Sequence, residues 1–273
     1  MNNESRKADG ISGQFDFWSQ NPCGSDGPLH KIMTQRYWLE PWILLEIRKF
    51  PTKGMKFLEV GCGQGADAFN ICARLEPGST YTAIDYSHES VRRCEESISE
   101  AKELFSLSVI PSFRQADALS LPFDDETFDF VYSLGVLHHT PDAQKSIDEI
   151  HRVLKKGGWC FIVLYRFSAV KVGVAKLLRV FQGVLDRITG RERIIYNFLK
   201  GKKLFSDSLG TMLLECFGVP WMNWYTRNDL EHMFRNFQIE SIEPFGFNFP
   251  TFGKVTSGRN PFGYFYKIEA RKA

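Results

Sequence analysis

Residues 56–67 read KFLEVGCGQGAD, an apolar run that ends in three glycines separated by single residues. No other stretch narrows the fold as far. Lys56–Val60 has the length and composition of a short buried strand, and Ala66–Leu75 has helical periodicity. Between them, Gly61, Gly63 and Gly65 allow a sharp turn with positive φ. They also let a ligand reach the main chain without meeting a Cβ, and the helix that follows points its first amides at that ligand.

The pattern continues downstream. YTAIDYS (81–87), SFRQADA (112–118), FDFVYSLGV (128–136) and WCFIVLYR (159–166) read as strands. Glu89–Phe105 reads as one amphipathic helix, and Asp142–Leu154 as another stopped by KKGG at 155–158. Strand and helix thus alternate from 55 to 166, which predicts an α/β fold with a parallel sheet wound by helices. Such sheets bind ligands beyond the carboxyl ends of their strands, where the strand order reverses. Before this block lie a polar segment at 1–27 and a helix or helix pair over Leu29–Phe50, interrupted near Pro41. After it, 167–221 is helical and basic, with Val174, Leu177, Leu178, Phe181, Val184, Leu185 and Ile188 on one face. A helix at Thr226–Phe237 and strands at 239–249 and 264–271 complete the chain. We expect a single domain, with 1–50 as an N-terminal helical lid, 51–166 and 222–273 as the α/β core, and 167–221 as an inserted helical cap.

Composition excludes several classes. With 43% hydrophobic and 24% charged residues, the chain is expected to be globular rather than disordered. A net charge of +2 gives no reason to expect nucleic acid as a partner. MNNESRKADG lacks the apolar stretch of a signal peptide. The longest membrane-span candidate, 159–185, is interrupted by Arg166, Lys171, Lys176 and Arg179. The six cysteines (Cys23, Cys62, Cys72, Cys94, Cys160 and Cys216) form no CxxC pair and have no histidine at zinc-ligand spacing. They read as reduced thiols of a cytoplasmic protein without a metal.

The glycine turn alone does not choose a cofactor. Gly61, Gly63 and Ala66 satisfy the looser dinucleotide pattern. Asp85, at the end of the second strand, can accept ribose hydroxyls from NAD or from S-adenosylmethionine (SAM) alike. Glu59 favours the second, because SAM carries a sulfonium and an ammonium, whereas a pyrophosphate gains nothing from an acid there. Asp117 can accept from an exocyclic amine such as adenine N6. No G-x-x-x-x-G-K-[ST] phosphate loop occurs.

Taken together, EVGCGQG, AIDYS, QADALSLPFDDETFDFVYSLGVLHHTPD and RVLKKGGWCFIV resemble the class I SAM-dependent methyltransferases, in the ubiquinone/menaquinone-type branch of small-molecule enzymes. The likeness spans roughly 55–166. FWSQNPCG (17–24), RYWLEP (36–41) and GVPWMNWYTRNDL (218–230) carry a weaker likeness to a sub-branch. The resemblance implies a Rossmann-like, doubly wound, mostly parallel seven-stranded sheet with an antiparallel last strand. It implies SAM as cofactor and S-adenosylhomocysteine as product. It places the Gly61–Cys62–Gly63–Gly65 loop around the methionine end and Glu59 on the amino group through water. It also places Asp85 on both ribose hydroxyls, Tyr86 against the adenine, and Asp117 on N6. Ala118 would contact the ring through its backbone, and Ser133 and Leu134 would line the methionine side.

In this topology the glycine loop and SLGVLHHTPD face each other, which brings His138 and His139 near the transferred methyl. Histidine titrates near neutrality and suits a base or an orienting group. The alternative is that both pack or cap the helix near Asp142. Tyr165, at the end of the fifth strand, is a further catalytic candidate or else a core ring. The Asn/Asp-Pro-Pro-Tyr/Phe signature of enzymes that methylate amino groups of nucleic acid is replaced by SLGV, which argues against that substrate. Phe15, Phe17, Trp18, Tyr37 and Trp38 supply an aromatic lid, with Trp18 and Tyr37 expected to touch substrate or cofactor. Residues 167–205 carry +7 and the remainder about −5. This basic insert can roof an apolar acceptor, lie on an anionic membrane as a peripheral contact, or bind RNA. The expected reaction is in-line methyl transfer to the O or C of a small hydrophobic acceptor. A non-catalytic SAM-binding module and an NAD-dependent oxidoreductase are the alternatives.

Overall fold

The computed structural model describes residues 17–18, 27–201, 217, 219, 221–246 and 258–273. Phe15, Cys23, Cys216, most of 202–220 and the 247–249 end of an expected strand lie outside the described residues.

Two short helices come first, α1 (Leu29–Leu39) and α2 (Trp42–Ile47), with Pro41 at the N-cap of the second. The alternating block follows as β1 (Lys56–Val60), α3 (Ala66–Cys72), β2 (Thr80–Asp85), α4 (His88–Glu96), α5 (Ile98–Leu104), β3 (Ser112–Gln115), β4 (Phe128–Leu134), α6 (Ala143–Val153) and β5 (Leu154–Tyr165). The inserted helices are α7 (Val170–Thr189) and α8 (Ile194–Gly201). Last come α9 (Arg227–Met233), β6 (Phe237–Phe245) and β7 (Phe265–Lys272).

The seven strands form one sheet in the order β3-β2-β1-β4-β5-β7-β6. Neighbours from β3 to β5 pair in parallel, and β7 runs antiparallel to both β5 and β6. The order reverses between β1 and β4, so the ends of these two strands open onto one crevice. Because side chains alternate across a strand, β1 sends Phe57 into one core layer and Leu58 and Val60 into the other. Aromatic rings dominate the first layer, where Phe50, Phe57, Phe130, Tyr132 and Phe161 meet edge to face or tilted.

Four local expectations are corrected. The helix expected over Glu89–Phe105 is two helices, α4 and α5, meeting at Ser97, whose hydroxyl bonds back to Arg93 O. KKGG does not end a helix in a separate turn, because α6 stops at Val153 and β5 begins at once with Leu154. Gly157, with φ +73, absorbs an irregularity inside that strand. The third strand stops at Gln115, because Asp117 turns back on itself, its Oδ1 accepting from Leu119 N at 2.9 Å. The second stops at Asp85, which leaves Tyr86 just past its end. The α6 N-cap is Asp142, which accepts from Lys145 N at 3.0 Å. Among the described residues, no helix is long and apolar enough to cross a membrane.

Candidate active site

The glycine loop is a closed turn on the end of β1. Gly61, Gly63 and Gly65 have φ of +85°, +53° and +80°. The amides of Gly61 and Cys62 both donate to Ile84 O, and Gly65 N donates to Cys62 O. Gly63 N donates to Asp85 Oδ2 at 2.9 Å, while Ser87 N donates to Oδ1 at 2.9 Å. These loop amides are therefore used to hold the turn and to aim Asp85. What the loop offers outward is main chain without Cβ atoms. A Cβ on Gly61 would lie 2.2 Å from Val136 Cγ2, so the SLGV segment crosses directly over the loop. Gly135, with φ +78, leaves open space where its Cβ would be. Cys62 points its thiol inward, 4.0 Å from Cys94 Sγ, leaving only main chain at the loop surface. Ser133 is also turned away. It is fully buried and its hydroxyl donates to Val60 O at 2.8 Å, so main chain is all it can offer the crevice. Leu134 is half-buried at the strand end.

Two acids flank the loop. Glu59 is buried, and Tyr81 donates its hydroxyl to Oε2 at 2.9 Å. Burial, with the charge of Asp67 adding to it, pushes the Glu59 carboxyl up to about 8. Burial also pushes Asp85 up to about 6, against the opposing pull of the amides of Ser87 and Gly63. The protein's own groups thus under-stabilise negative charge at both sites, which is what a cation or a set of hydroxyl donors would supply. Further along, Asp117 lies close enough to Tyr86 to raise its phenol, after burial, the larger cause.

A polar knot missed in the sequence sits in the first turn of α3. Asp67 is buried and accepts from Arg36, from Tyr37 Oη at 3.1 Å and from Tyr132 Oη at 2.8 Å. The Arg36 contact is bidentate, with Nε to Oδ1 at 2.8 Å. The Tyr37 hydroxyl also lies 3.0 Å from Ala66 O. Tyr37 is therefore engaged with the helix that follows the glycine loop. The signal was present in RYW at 36–38 and in the final residue of the glycine stretch, but nothing in the sequence joined them.

Beyond the glycine loop, the chain after Val136 enters a cluster of rings in which His138, His139 and Tyr165 are buried. His138 lies on Tyr165 with ring centroids 3.9 Å apart, and on His139 at 4.3 Å. Tyr165 in turn stacks on Phe265 at 5.1 Å and 11°. His139 packs against Trp18 at 5.2 Å, and Phe17, in T-shaped contact with Trp18, reaches Tyr196 of α8. The three catalytic candidates thus come together with one lid aromatic. His139 Nδ1 lies 3.0 Å from Trp221 O. A carbonyl only accepts, so Nδ1 carries the proton and Nε2 keeps the lone pair in the neutral ring.

A strap at 221–225 closes this end. Asn223 N donates to His138 O, Asn223 Nδ2 to Thr140 O, Tyr225 N to Tyr165 O, and Phe167 N to Tyr225 O. Lys176 of α7 sits over the rings of Phe167 and Trp224 at 3.8 and 4.3 Å, which fastens the inserted helix to the strap. The apolar stripe of α7 is not where a roof needs it. Among the described side chains of α7, Ala175 and Gln182 are buried and Leu178 and Leu185 are half-buried, whereas Val174, Leu177, Phe181, Val184 and Ile188 are exposed.

The rim therefore carries an acid suited to a cation at the end of β1, an acid suited to hydroxyl donors at the end of β2, and a floor cleared of Cβ atoms. This set fits SAM, whose ammonium and ribose present those two partners. Known proteins agree. Residues 58–162 match the family model described as a methyltransferase domain. The chain is 33% identical over 152 residues to phosphatidylethanolamine N-methyltransferase of Cereibacter sphaeroides, covering 52% of this chain and 71% of that one. It is 32% identical over 133 residues to the chloroplastic tocopherol O-methyltransferase of Arabidopsis thaliana, covering 49% of this chain and 36% of that one. A solved SAM-dependent methyltransferase from Thermotoga maritima shares the fold, with a TM-score of 0.59 at 13% identity, over 95% of this chain and 100% of that one. The chain belongs to the class I SAM-dependent methyltransferases, and it is an enzyme whose cofactor is S-adenosylmethionine.

Proposed function

We propose that the enzyme methylates a small apolar acceptor at the ring-lined end of the crevice. The observation that supports this is the packed cluster of Trp18, His138, His139 and Tyr165, in which the two histidines and Tyr165 are buried and Trp18 is the half-exposed member, placed where the Val136 segment leaves the glycine loop. In this reading Glu59 takes the cofactor's ammonium, Asp85 its ribose hydroxyls, and Tyr86, Asp117 and Ala118 its adenine. Gly61, Cys62, Gly63, Gly65, Ser133 and Leu134 contribute main chain to the methionine end. Arg36 and Tyr37, both held on Asp67, position the first helix beside that end. SAM, when bound, supplies a methyl on a good sulfonium leaving group, so the chain mainly has to align, desolvate and deprotonate.

His139 suits the proton step. Trp221 O fixes its Nδ1–H, which directs the Nε2 lone pair elsewhere, and a neutral imidazole is a competent base near pH 7. His138, packed between Tyr165 and His139, orients it. We read 1–50 as the lid, 51–166 and 222–273 as the core, and 167–221 as the insertion. The buried thiols Cys62, Cys72, Cys94 and Cys160 support a reducing, cytoplasmic setting. The acceptor atom is O or C in this reading, and the N-methyltransferase relative adds a lipid amine to the acceptors worth screening. A peripheral membrane contact by 167–205 belongs to the same reading.

The test is calorimetric titration with SAM, S-adenosylhomocysteine and NAD, followed by transfer of labelled methyl to phenols, quinones and aminophospholipids. Binding of both sulfur ligands without NAD, and label in an apolar acceptor, is the expected result. Label only in water-soluble amines or acids would overturn the apolar assignment.

A further inference from the structure

We propose that the outward face of α7 docks on an anionic phospholipid bilayer and holds the mouth of the crevice against the lipid that carries the acceptor. The inference rests on the apolar-acceptor reading for its purpose, but not for its geometry.

The geometry starts with exposure. Leu177, Val180 and Ile188 are 71%, 65% and 75% exposed, and Val174, Phe181 and Val184 lie beside them. At about 100° per residue these six project from one sector of roughly 120°. The helix needs only the opposite side, around Ala175 and Gln182, to pack on the protein. A stripe of large apolar side chains left in water along a helix marks a surface that meets something apolar. Phe198 of α8 is exposed as well.

Charge identifies the occupant. Exposed Arg187 borders the stripe on one side, and exposed Arg191 follows in the turn to α8. Asp186 spends its carboxylate on Arg193 N and Ile194 N, capping α8. The segment 167–205 is +7 in a chain of +2. An apolar stripe edged by cations, on a helix too polar to cross a bilayer, has the composition of an interfacial helix. Anionic headgroups complement the cations while acyl chains receive the stripe. A second copy of this chain would bring the two cationic borders together, which disfavours self-association.

Position supplies the purpose. The helix starts just after β5, whose Tyr165 belongs to the ring cluster, and Lys176 ties it to the strap that bonds His138. A bilayer touching Leu177 and Phe181 therefore lies beside the acceptor end of the crevice and away from the glycine loop.

The test is flotation of the full chain with vesicles of phosphatidylcholine alone, and with one part in three of phosphatidylglycerol. The expected result is flotation with the anionic vesicles, at least tenfold stronger than with neutral ones and weakened by salt. The double variant Leu177→Glu/Phe181→Glu should lose that binding while its calorimetric titration with SAM stays unchanged. The conservative variant Leu177→Met/Phe181→Leu should keep both. Equal flotation of wild type and the glutamate variant overturns the proposal, as does flotation indifferent to phosphatidylglycerol. So does a wild type that ignores both vesicles, or one that is a dimer dissociated by the glutamates. Flotation as expected, with labelled methyl transferred only to water-soluble amines or acids, would instead count against the apolar-acceptor reading, so the two failures are separable.

Discussion

The two ends of the crevice are built differently. The cofactor end is made of main chain and short-range contacts, with Gly61–Gly65 bonded to β2 and Asp85 aimed by Gly63 N and Ser87 N. The end proposed for the acceptor is made of side-chain rings from segments far apart, with Trp18, His139, Tyr165, Tyr196 and Phe265 meeting only in the folded chain. Backbone geometry permits few alternatives, and ring packing permits many. One scaffold can thus keep its methyl donor while changing what it methylates.

The largest effect should come from Gly61→Ala. The substitution places a Cβ 2.2 Å from Val136 Cγ2 at a φ of +85°. A loss of about 2–4 kcal/mol in stability is expected, together with loss of measurable SAM binding. Thermal unfolding and calorimetry read both. Adding Val136→Ala should restore part of the stability and little of the binding. Full rescue would show that the contact with Val136, and not the left-handed backbone, demands glycine here.

Arg36→Ala comes next. It leaves the buried Asp67 carboxylate with two phenols and no cation, at a cost of about 2–3 kcal/mol. Denaturant unfolding checks it, and an unchanged midpoint would mean that the tyrosines suffice. Asp85→Ala should weaken SAM binding by roughly 10–100-fold, from lost charged hydrogen bonds of about 1.5–3 kcal/mol. Unaltered affinity would remove Asp85 from the ribose.

The pH dependence sharpens the contrast, because the carboxyls that burial raises among the described residues, Glu59 and Asp85, both lie at the cofactor end. Glu59 and Asp85 have folded pKa values raised to about 8 and about 6, so the free protein binds protons that its unfolded chain has released. Its stability therefore falls as pH rises through that window. An ammonium and ribose hydroxyls prefer the carboxylates, so SAM binding should release protons near pH 7. Affinity should climb with pH through about 6 and again through about 8. Titrations in buffers of different ionisation heat report the protons, and Glu59→Gln should erase the upper step alone. A flat profile would mean that neither acid meets the ligand. The smallest effect on SAM affinity is expected from His139→Ala, which should lower turnover with the cofactor titration unchanged. Equal turnover would make His139 a packing ring.

The same division explains what the sequence made legible. The Gly61–Gly65 loop, the acid at Asp85 and the alternation that builds the sheet each lie within a dozen residues and follow a fixed period. The Arg36–Asp67 knot spans 31 positions, and the His139–Trp221 bond spans 82. No local pattern announces either. The stripe on α7 was visible as amphipathic, but a wheel does not say which sector faces the protein. Ala175 and Gln182 turned out to be the inner side, because Lys176, next to Ala175, is clamped between Phe167 and Trp224. The direction of the Ser133 side chain was hidden for a similar reason, since whether its hydroxyl looks into the crevice or back at Val60 O depends on strand twist.

The strap has a consequence for traffic. Its root is stitched to His138 and Tyr165 by Asn223 N and Tyr225 N, and Tyr225 O holds Phe167 in return. A hinge cannot carry such stitches, because opening it would unzip a miniature sheet. This side of the mouth is therefore a wall rather than a door. Slow amide exchange at Asn223 and Tyr225 would mark the wall.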